Sequence, residues 1–335
     1  VGSEMCIRDR YENAQRAYLE TMQDITINVT NLFFTVLSAQ ENYRQSVADY
    51  EDRKHLFEIA KKRLDLGTTT KSEVLQMELS LLNAKMSVNS TSLTLRTQLF
   101  SLFSYLRIVD YGDIELLPPY YMPEIEMNAE QVLDKAWTGS SHSIEQQLNL
   151  LESQRALAEA KANRGLQVEF RGRLGLSQSA NELPAAYRRL KDYETVGLTM
   201  TIPIYDWGMG RGKVRMAKTD VEITKTQIEQ ANIEFAHDVR TKVMQFNNQA
   251  EQCKTSLRAQ DIAAERYDIM KKRFENGSVT VTELNTAQEE FESAQHQYIS
   301  QLQQFWTDYY GIQKLTLYDF IRKENIGVNF NDLVN

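Results

Sequence analysis

The residues with most chemistry to offer are two glutamates, Glu73 and Glu283. Each stands three positions after a threonine, in Thr70-x-x-Glu73 and Thr280-x-x-Glu283. That is the spacing of a capping box, in which threonine and glutamate side chains satisfy each other's backbone N–H groups at a helix start. A cap engages no more than one carboxylate oxygen, so a second role for either acid stays open. The other candidates offer less. His55, His142, His237 and His296 lie in polar or helical context without the spacing of metal ligands, and read as surface residues. No phosphate-binding loop, nucleophile elbow or cysteine cluster occurs. No catalytic residue, metal site or cofactor is expected, and the chain reads as something other than an enzyme.

Both glutamates belong to a repeated stretch. KKRLDLGTTTKSE (Lys61–Glu73) recurs 210 positions later as KKRFENGSVTVTE (Lys271–Glu283) without a gap, sharing Lys-Lys-Arg, the glycine, the threonine and the final glutamate. In each copy one helix ends and another begins. Gly67 and Gly277 can take the left-handed conformation that terminates a helix. The basic triplets fall in the last turn, where cations favour the macrodipole. Two tight helical hairpins are expected, with an internal repeat as the organising feature.

The rest of the composition fits long helices. Of 335 residues only 14 are Gly and 5 Pro, while 42% are hydrophobic and 25% charged. The net charge of −8 argues against nucleic acid as a partner. No run of 18 apolar residues suggests a membrane-spanning helix, which leaves a β-barrel open because its strands alternate. Residues 1–10, VGSEMCIRDR, resemble the translation of a transposon-end sequencing adapter and are read as a non-native scar. Cys6 falls within it and Cys253 is left alone, so no intrachain disulfide is expected.

From Tyr11 to Leu66 apolar residues recur every three or four positions, through Tyr18, Ile25, Val29, Phe33, Val36, Val47 and Phe57, the seam of a coiled coil. The counterpart, about 210–276, has the seam Val214, Val221, Ile228, Phe235, Val239, Val243, Phe246, Cys253, Leu257 and Tyr267. Successive four-residue steps at Ile25–Phe33 and Phe235–Val243 are read as a shared stutter. The aromatic members of these seams are read as packing. Shorter helices return after each hairpin. One is expected over about 72–107 (Leu75, Leu79, Leu82, Met86, Leu93, Phe100, Phe103) and one over about 282–313 (Leu284, Ala287, Phe291, Leu302, Phe305, Tyr309). Pro118, Pro119 and Pro123 mark a connector. Helices about Ala129–Trp137 and Ser143–Arg164 follow.

The period then changes to two. Val168, Phe170, Gly172, Leu174 and Leu176 alternate with Glu169, Arg171 and Arg173; after the polar stretch Ser179–Asp192, Val196, Leu198, Met200 and Ile202 alternate with threonines and Gly197. Two strands of this length cross a tilted bilayer, with one wholly apolar face toward lipid. Tyr193, Tyr205 and Trp207 sit at the ends, where interfacial aromatics gather. A soluble sheet with one solvated face gives the same alternation. An isolated hairpin would, however, have nothing in this chain to pack on.

With the exit Ile202-Pro203-Ile204-Tyr205-Asp206-Trp207-Gly208, then Arg211, and the paired R-[LF]-x-x-G-x-x-x-x-[ST]-E tips, residues from about 11 to 317 resemble the TolC-like outer-membrane channel family. The resemblance implies a homotrimer in the bacterial outer membrane. Each protomer would give strands to a 12-stranded β-barrel and antiparallel coiled-coil helices to a periplasmic α-barrel. A periplasmic adaptor would meet the tips at Gly67, Thr68, Gly277 and Ser278, and an inner-membrane pump would act indirectly. The function implied is passive export through the exit duct of a tripartite efflux pump or type I secretion system. Glu73, Glu283 and Thr286 would line the tunnel-tip gate. Thr286, Val279 and Phe274 depart from the acid, arginine and tyrosine of the closing network in the best-known members. By the 210 offset a further strand pair is expected upstream of Tyr11, so the chain reads as a fragment.

The domains expected are the scar, a first hairpin at 11–107, a connector and helix at 108–165, the membrane hairpin at 166–208, a second hairpin at 209–313 and a C-terminal equatorial segment at 314–335. A soluble coiled-coil scaffold and a periplasmic adaptor are the alternatives. The adaptor would need one hairpin flanked by lipoyl-like halves, and neither half is present.

Overall fold

The computed structural model describes residues 2–109, 112, 114–117, 122–177, 191–202, 204–328 and 330. Pro118, Pro119, Pro203 and residues 179–190 of the polar stretch lie outside them. The chain is mostly helical with few strands: α1 (Gly2–Asp65), α2 (Lys71–Tyr105), α3 (Ala129–Gly139), α4 (His142–Ala162), β1 (Gln167–Ser177), β2 (Lys191–Thr201), α5 (Met209–Glu275), α6 (Val281–Thr316), β3 (Tyr318–Asp319) and β4 (Glu324–Asn325). Helix and strand positions match the periodicity to within a few residues. At 67 residues α5 is about 100 Å long. No described helix is long and apolar enough to cross a membrane.

The chain divides into two compact units. One comprises residues 14–141 and 236–335. Its core near the tips joins Leu56, Phe57 and Ala60 of α1 to Val74 and Met77 of α2, Phe274 of α5 and Leu284 of α6. Burying side chains of this size stabilises by about 1.5–3 kcal/mol each. A second cluster joins Phe34, Leu37, Cys253 and Leu302. Burial pushes the Cys253 thiol up to about 11, so it packs as a small hydrophobe. The helix α3 is capped by Asn128, whose side chain accepts from the backbone of Glu130 and Gln131. It lies against α6, and Gly139 allows the approach, since a Cβ there would stand 2.0 Å from the Thr316 carbonyl oxygen.

The seams of α5 and α6 are covered as expected: Val239, Val243, Phe246, Cys253, Leu284, Leu302, Phe305 and Tyr309 are buried, with Leu257 the exposed exception. Of the seam read for α2 only Phe103 is buried; Leu75, Leu79, Leu82, Met86, Leu93 and Phe100 are exposed, and α2 packs through Val74, Met77, Ala84 and Leu102 besides Phe103. In the N-terminal part of α1 the buried stripe runs through Leu19 and Gln23, leaving Tyr18 and Ile25 exposed, so the stutter at Ile25–Phe33 does not follow a buried seam. A helix with apolar residues on two faces announces neither which face meets its neighbour.

At its C-terminus α6 runs three residues past the expected Gln313. It ends at Leu317, a left-handed residue (φ 46°) with a buried side chain and no glycine to signal it. The buried Tyr309 holds that turn, donating to Asp319 at 2.7 Å and accepting from the Ile321 N–H at 3.1 Å.

The other unit comprises residues 1–13 and 142–235. Here β1 and β2 pair antiparallel, from Gln167 opposite Thr201 to Ser177 opposite Lys191. Val168 faces Met200, Phe170 faces Leu198 and Gly172 faces Val196. Leu174 and Leu176, however, face Glu194 and Asp192. The face expected to be wholly apolar is therefore apolar for only part of its height. On the other face Arg171 pairs with Glu169 at 2.7 Å.

Candidate functional site

The two tips are built alike. In the first, the Gly67 N–H donates to the Leu64 carbonyl and the Thr68 N–H to the Arg63 carbonyl, both at 2.9 Å. In the second, Gly277 donates to Phe274 and Ser278 to Arg273, again at 2.9 Å. These are Schellman terminations, which need a left-handed residue. Both glycines have φ 71°. Both capping boxes are complete. Thr70 N–H donates to Glu73 at 3.0 Å and Thr280 N–H to Glu283 at 2.7 Å, each time to Oε2. Hydrogen bonds hold both carboxyls below the usual carboxylate range. For Glu73 the Thr69 hydroxyl is the largest cause, and for Glu283 the Thr280 backbone. Both acids are charged at neutral pH and fully exposed.

Gly67, Thr68, Gly277 and Ser278 are all exposed. Thr286 is exposed too, its hydroxyl donating to the Thr282 carbonyl at 3.0 Å. Phe274 is buried in the core near the tips and Val279 packs on its edge, so both serve apolar contacts.

Three polar ties between the hairpins were not read from the sequence. Arg63 donates to the carbonyls of Phe274 (3.4 Å) and Glu275 (3.2 Å), satisfying the C-terminal end of α5. Lys271 pairs with Asp52 at 2.6 Å, beside the Tyr267 hydroxyl. Arg53 pairs with Asp49 at 2.8 Å and reaches Ser80 of α2 as well as Asn285 and Gln288 of α6. The repeated Lys-Lys-Arg triplets therefore do more than place charge at a helix end. The first copy uses its third residue and the second copy its first.

The strand exit forms its own small site. Asp206 accepts from the N–H groups of Gly208 (3.0 Å) and Gly210 (2.7 Å), capping α5. Gly208 has φ 82°, and a Cβ on Gly210 would stand 2.6 Å from Asp206 Oδ2. Tyr205 and Trp207 meet edge to face, their ring centroids 4.8 Å apart. The residues expected to face lipid, Val168, Phe170, Leu174, Leu176, Val196, Leu198, Met200 and Ile202, are all exposed. Among the described residues no group of three or more His, Cys, Asp or Glu side chains is placed to share a metal ion.

The family model of the outer membrane efflux protein matches residues 140–316, more than half of the chain. No curated protein matches the sequence. Solved structures resemble it in fold. The CmeC outer membrane channel of Campylobacter jejuni has 14% identity and a TM-score of 0.69, over 99% of this chain and 70% of that one. The outer-membrane channel OprN has 15% identity and a TM-score of 0.69, over 93% of this chain and 70% of that one. VceC of Vibrio cholerae has 13% identity and a TM-score of 0.64, over 94% and 74%. With twin capped tips and an apolar strand pair already in view, the family match makes the assignment: the chain belongs to the outer membrane efflux protein family.

Proposed function

We propose that this protein is the passive exit duct of a tripartite export system. It would work as a homotrimer whose strands complete a 12-stranded barrel in the outer membrane and whose helices line a periplasmic tunnel. The observation that carries the reading is the pairing of two features in one chain of this family. One is a strand pair whose apolar side chains are all exposed. The other is a pair of helical hairpins ending in the same capped turn. Exposed apolar strands need lipid, since among the described residues the hairpin has no third strand on which to bury them. A soluble scaffold leaves that face unexplained.

The exposed turns Gly67-Thr68 and Gly277-Ser278 would meet a periplasmic adaptor, through which an inner-membrane pump would act. Glu283, with Glu73 and Thr286, would stand at the tunnel-tip gate. A cap at Oε2 leaves Oε1 of Glu283 available to a passing cation. The complete protein, expressed in a bacterium with an outer membrane, should fractionate with that membrane, need detergent for extraction and run as a heat-sensitive trimer on gels. A water-soluble monomer would overturn the reading.

A further inference from the structure

The chain has a net charge of −8, yet one part of it runs against that balance. From Lys161 to Gly165, and again from Trp207 to Thr219, there are six basic residues and no acid: Lys161, Arg164, Arg211, Lys213, Arg215 and Lys218. The first two close α4 and lead into β1; the other four follow β2 and open α5. Since Gln167 pairs with Thr201, both groups adjoin the same end of the strand pair. Arg164 meets α5 there, because a Cβ on Gly210 would stand 3.1 Å from Arg164 Cγ.

The fold does not account for these cations. All six are exposed, and none forms a salt bridge among the described residues, although Arg164 feels the charge of Asp206. Asp206 is already engaged by the Gly208 and Gly210 N–H groups, and it can offset one charge of the six. The helix itself disfavours the arrangement. Its N-terminus is the positive end of the dipole, and the first turn of α5 holds Arg211 and no acid. Arg211, Arg215 and Lys218, spaced four and three apart, share one face and repel one another. Such a cluster calls for an anion from outside the chain.

Position indicates which anion. The strands carry the apolar face proposed to meet lipid, and the exposed, edge-to-face rings of Tyr205 and Trp207 stand between their end and the cations of α5. Aromatic rings of this kind sit at headgroup depth. A basic cluster just beyond a membrane segment attracts anionic lipid.

We propose that the end of α4 and the start of α5 form a binding site for the phosphate of anionic phospholipid headgroups, at the edge where the strands give way to helices. Arg211 and Arg215 would hold phosphate oxygens in paired hydrogen bonds, and the other four cations would add attraction at longer range. The inference rests on the outer-membrane duct proposed above and specifies the lipid at its periplasmic edge.

The complete protein, reconstituted as its trimer in bilayer discs, tests the site with phosphatidylglycerol and phosphatidylethanolamine as probes. Phosphatidylglycerol should be enriched around the protein over phosphatidylethanolamine, and added salt should weaken the enrichment. Arg211→Gln with Arg215→Gln should lower phosphatidylglycerol binding by up to about fivefold per charge removed. In detergent the same variant should be no less heat-stable than the parent, because cations at a helix start oppose its dipole. That separates lost lipid binding from lost folding. Lys85→Gln with Arg96→Gln, two exposed cations of the other unit, should leave binding unchanged. Inorganic phosphate at matched ionic strength should not displace the lipid; displacement would make this a site for free phosphate. Equal enrichment of the two lipids, or a loss no larger than in the Lys85 and Arg96 variant, overturns the headgroup site and leaves the duct standing. A variant that keeps its lipid but changes the anion selectivity of the channel would assign the cations to the tunnel wall. A protein that never enters the membrane would remove the duct and the site together.

Discussion

The guanidinium of Arg63 lies 5.8 Å from the centroid of the Phe274 ring and donates to the carbonyl of the same residue. One side chain of the first hairpin thus covers the end of the second, and Arg273 makes no matching tie in return among the described residues. Arg63→Ala should therefore loosen the second tip by about 1 kcal/mol, a charged hydrogen bond discounted for exposure. Arg273→Ala should do less. Hydrogen exchange at the Gly277 and Ser278 amides reads the difference, and equal protection in both variants would mean the contact does not hold the tip.

Asp52 should tune a phenol as well as bind Lys271. Burial, then the charge of Asp52, pushes Tyr267 well above the usual range for tyrosine. Asp52→Asn should bring its titration down while leaving it elevated, because burial is the larger cause. Ultraviolet difference titration against a Tyr267→Phe control isolates the one phenol. No movement on removing Asp52 would show that the carboxylate does not face the ring.

The strand register grades the face proposed to meet lipid, from Val168 opposite Met200 and Phe170 opposite Leu198 to Leu174 opposite Glu194. Phe170→Arg or Leu198→Arg should cost about 2–4 kcal/mol of membrane stability near the midplane. Leu174→Arg should be milder, because Glu194 stands opposite it. Arg173→Leu, on the other face, should be milder still. Folding of the four variants into bilayers ranks them, and a penalty at Leu174 equal to that at Phe170 would contradict the register.

If Glu283 stands at the proposed tunnel-tip gate, it should confer cation preference there. A carboxylate ring at a narrow passage concentrates cations, so the trimer should prefer them and be blocked by divalent cations from the periplasmic side. Glu283→Gln should weaken both effects and leave stability nearly intact, since glutamine also serves in a capping box. Glu73→Gln, with the same cap chemistry, is the control. The folded carboxyl titrates below its unfolded value of 4.5, so its contribution to stability is present above that value and is lost as pH falls through the depressed one. Planar-bilayer recordings at neutral pH and below pH 4 would check both points. Indistinguishable currents from the two variants would leave Glu283 a cap alone.

How much could be read without coordinates followed the distance between interacting groups. The Gly67 and Gly277 terminations and the two capping boxes each join groups no more than five residues apart. Residue type and spacing therefore determined them. The repeat placed both tips and periodicity placed both strands for the same reason. The tertiary structure decided what depends on partners far along the chain. Asp52 meets Lys271 across 219 residues, and Leu317 turns without glycine because Tyr309 and Asp319 hold it. It also decided which of two apolar stripes α2 buries. Val74 and Met77 go inward and Leu75 and Leu79 outward, a difference of about 100° around the helix axis. Periodicity reports that a helix has an apolar face, but the free energy of burying it depends on the neighbour that covers it.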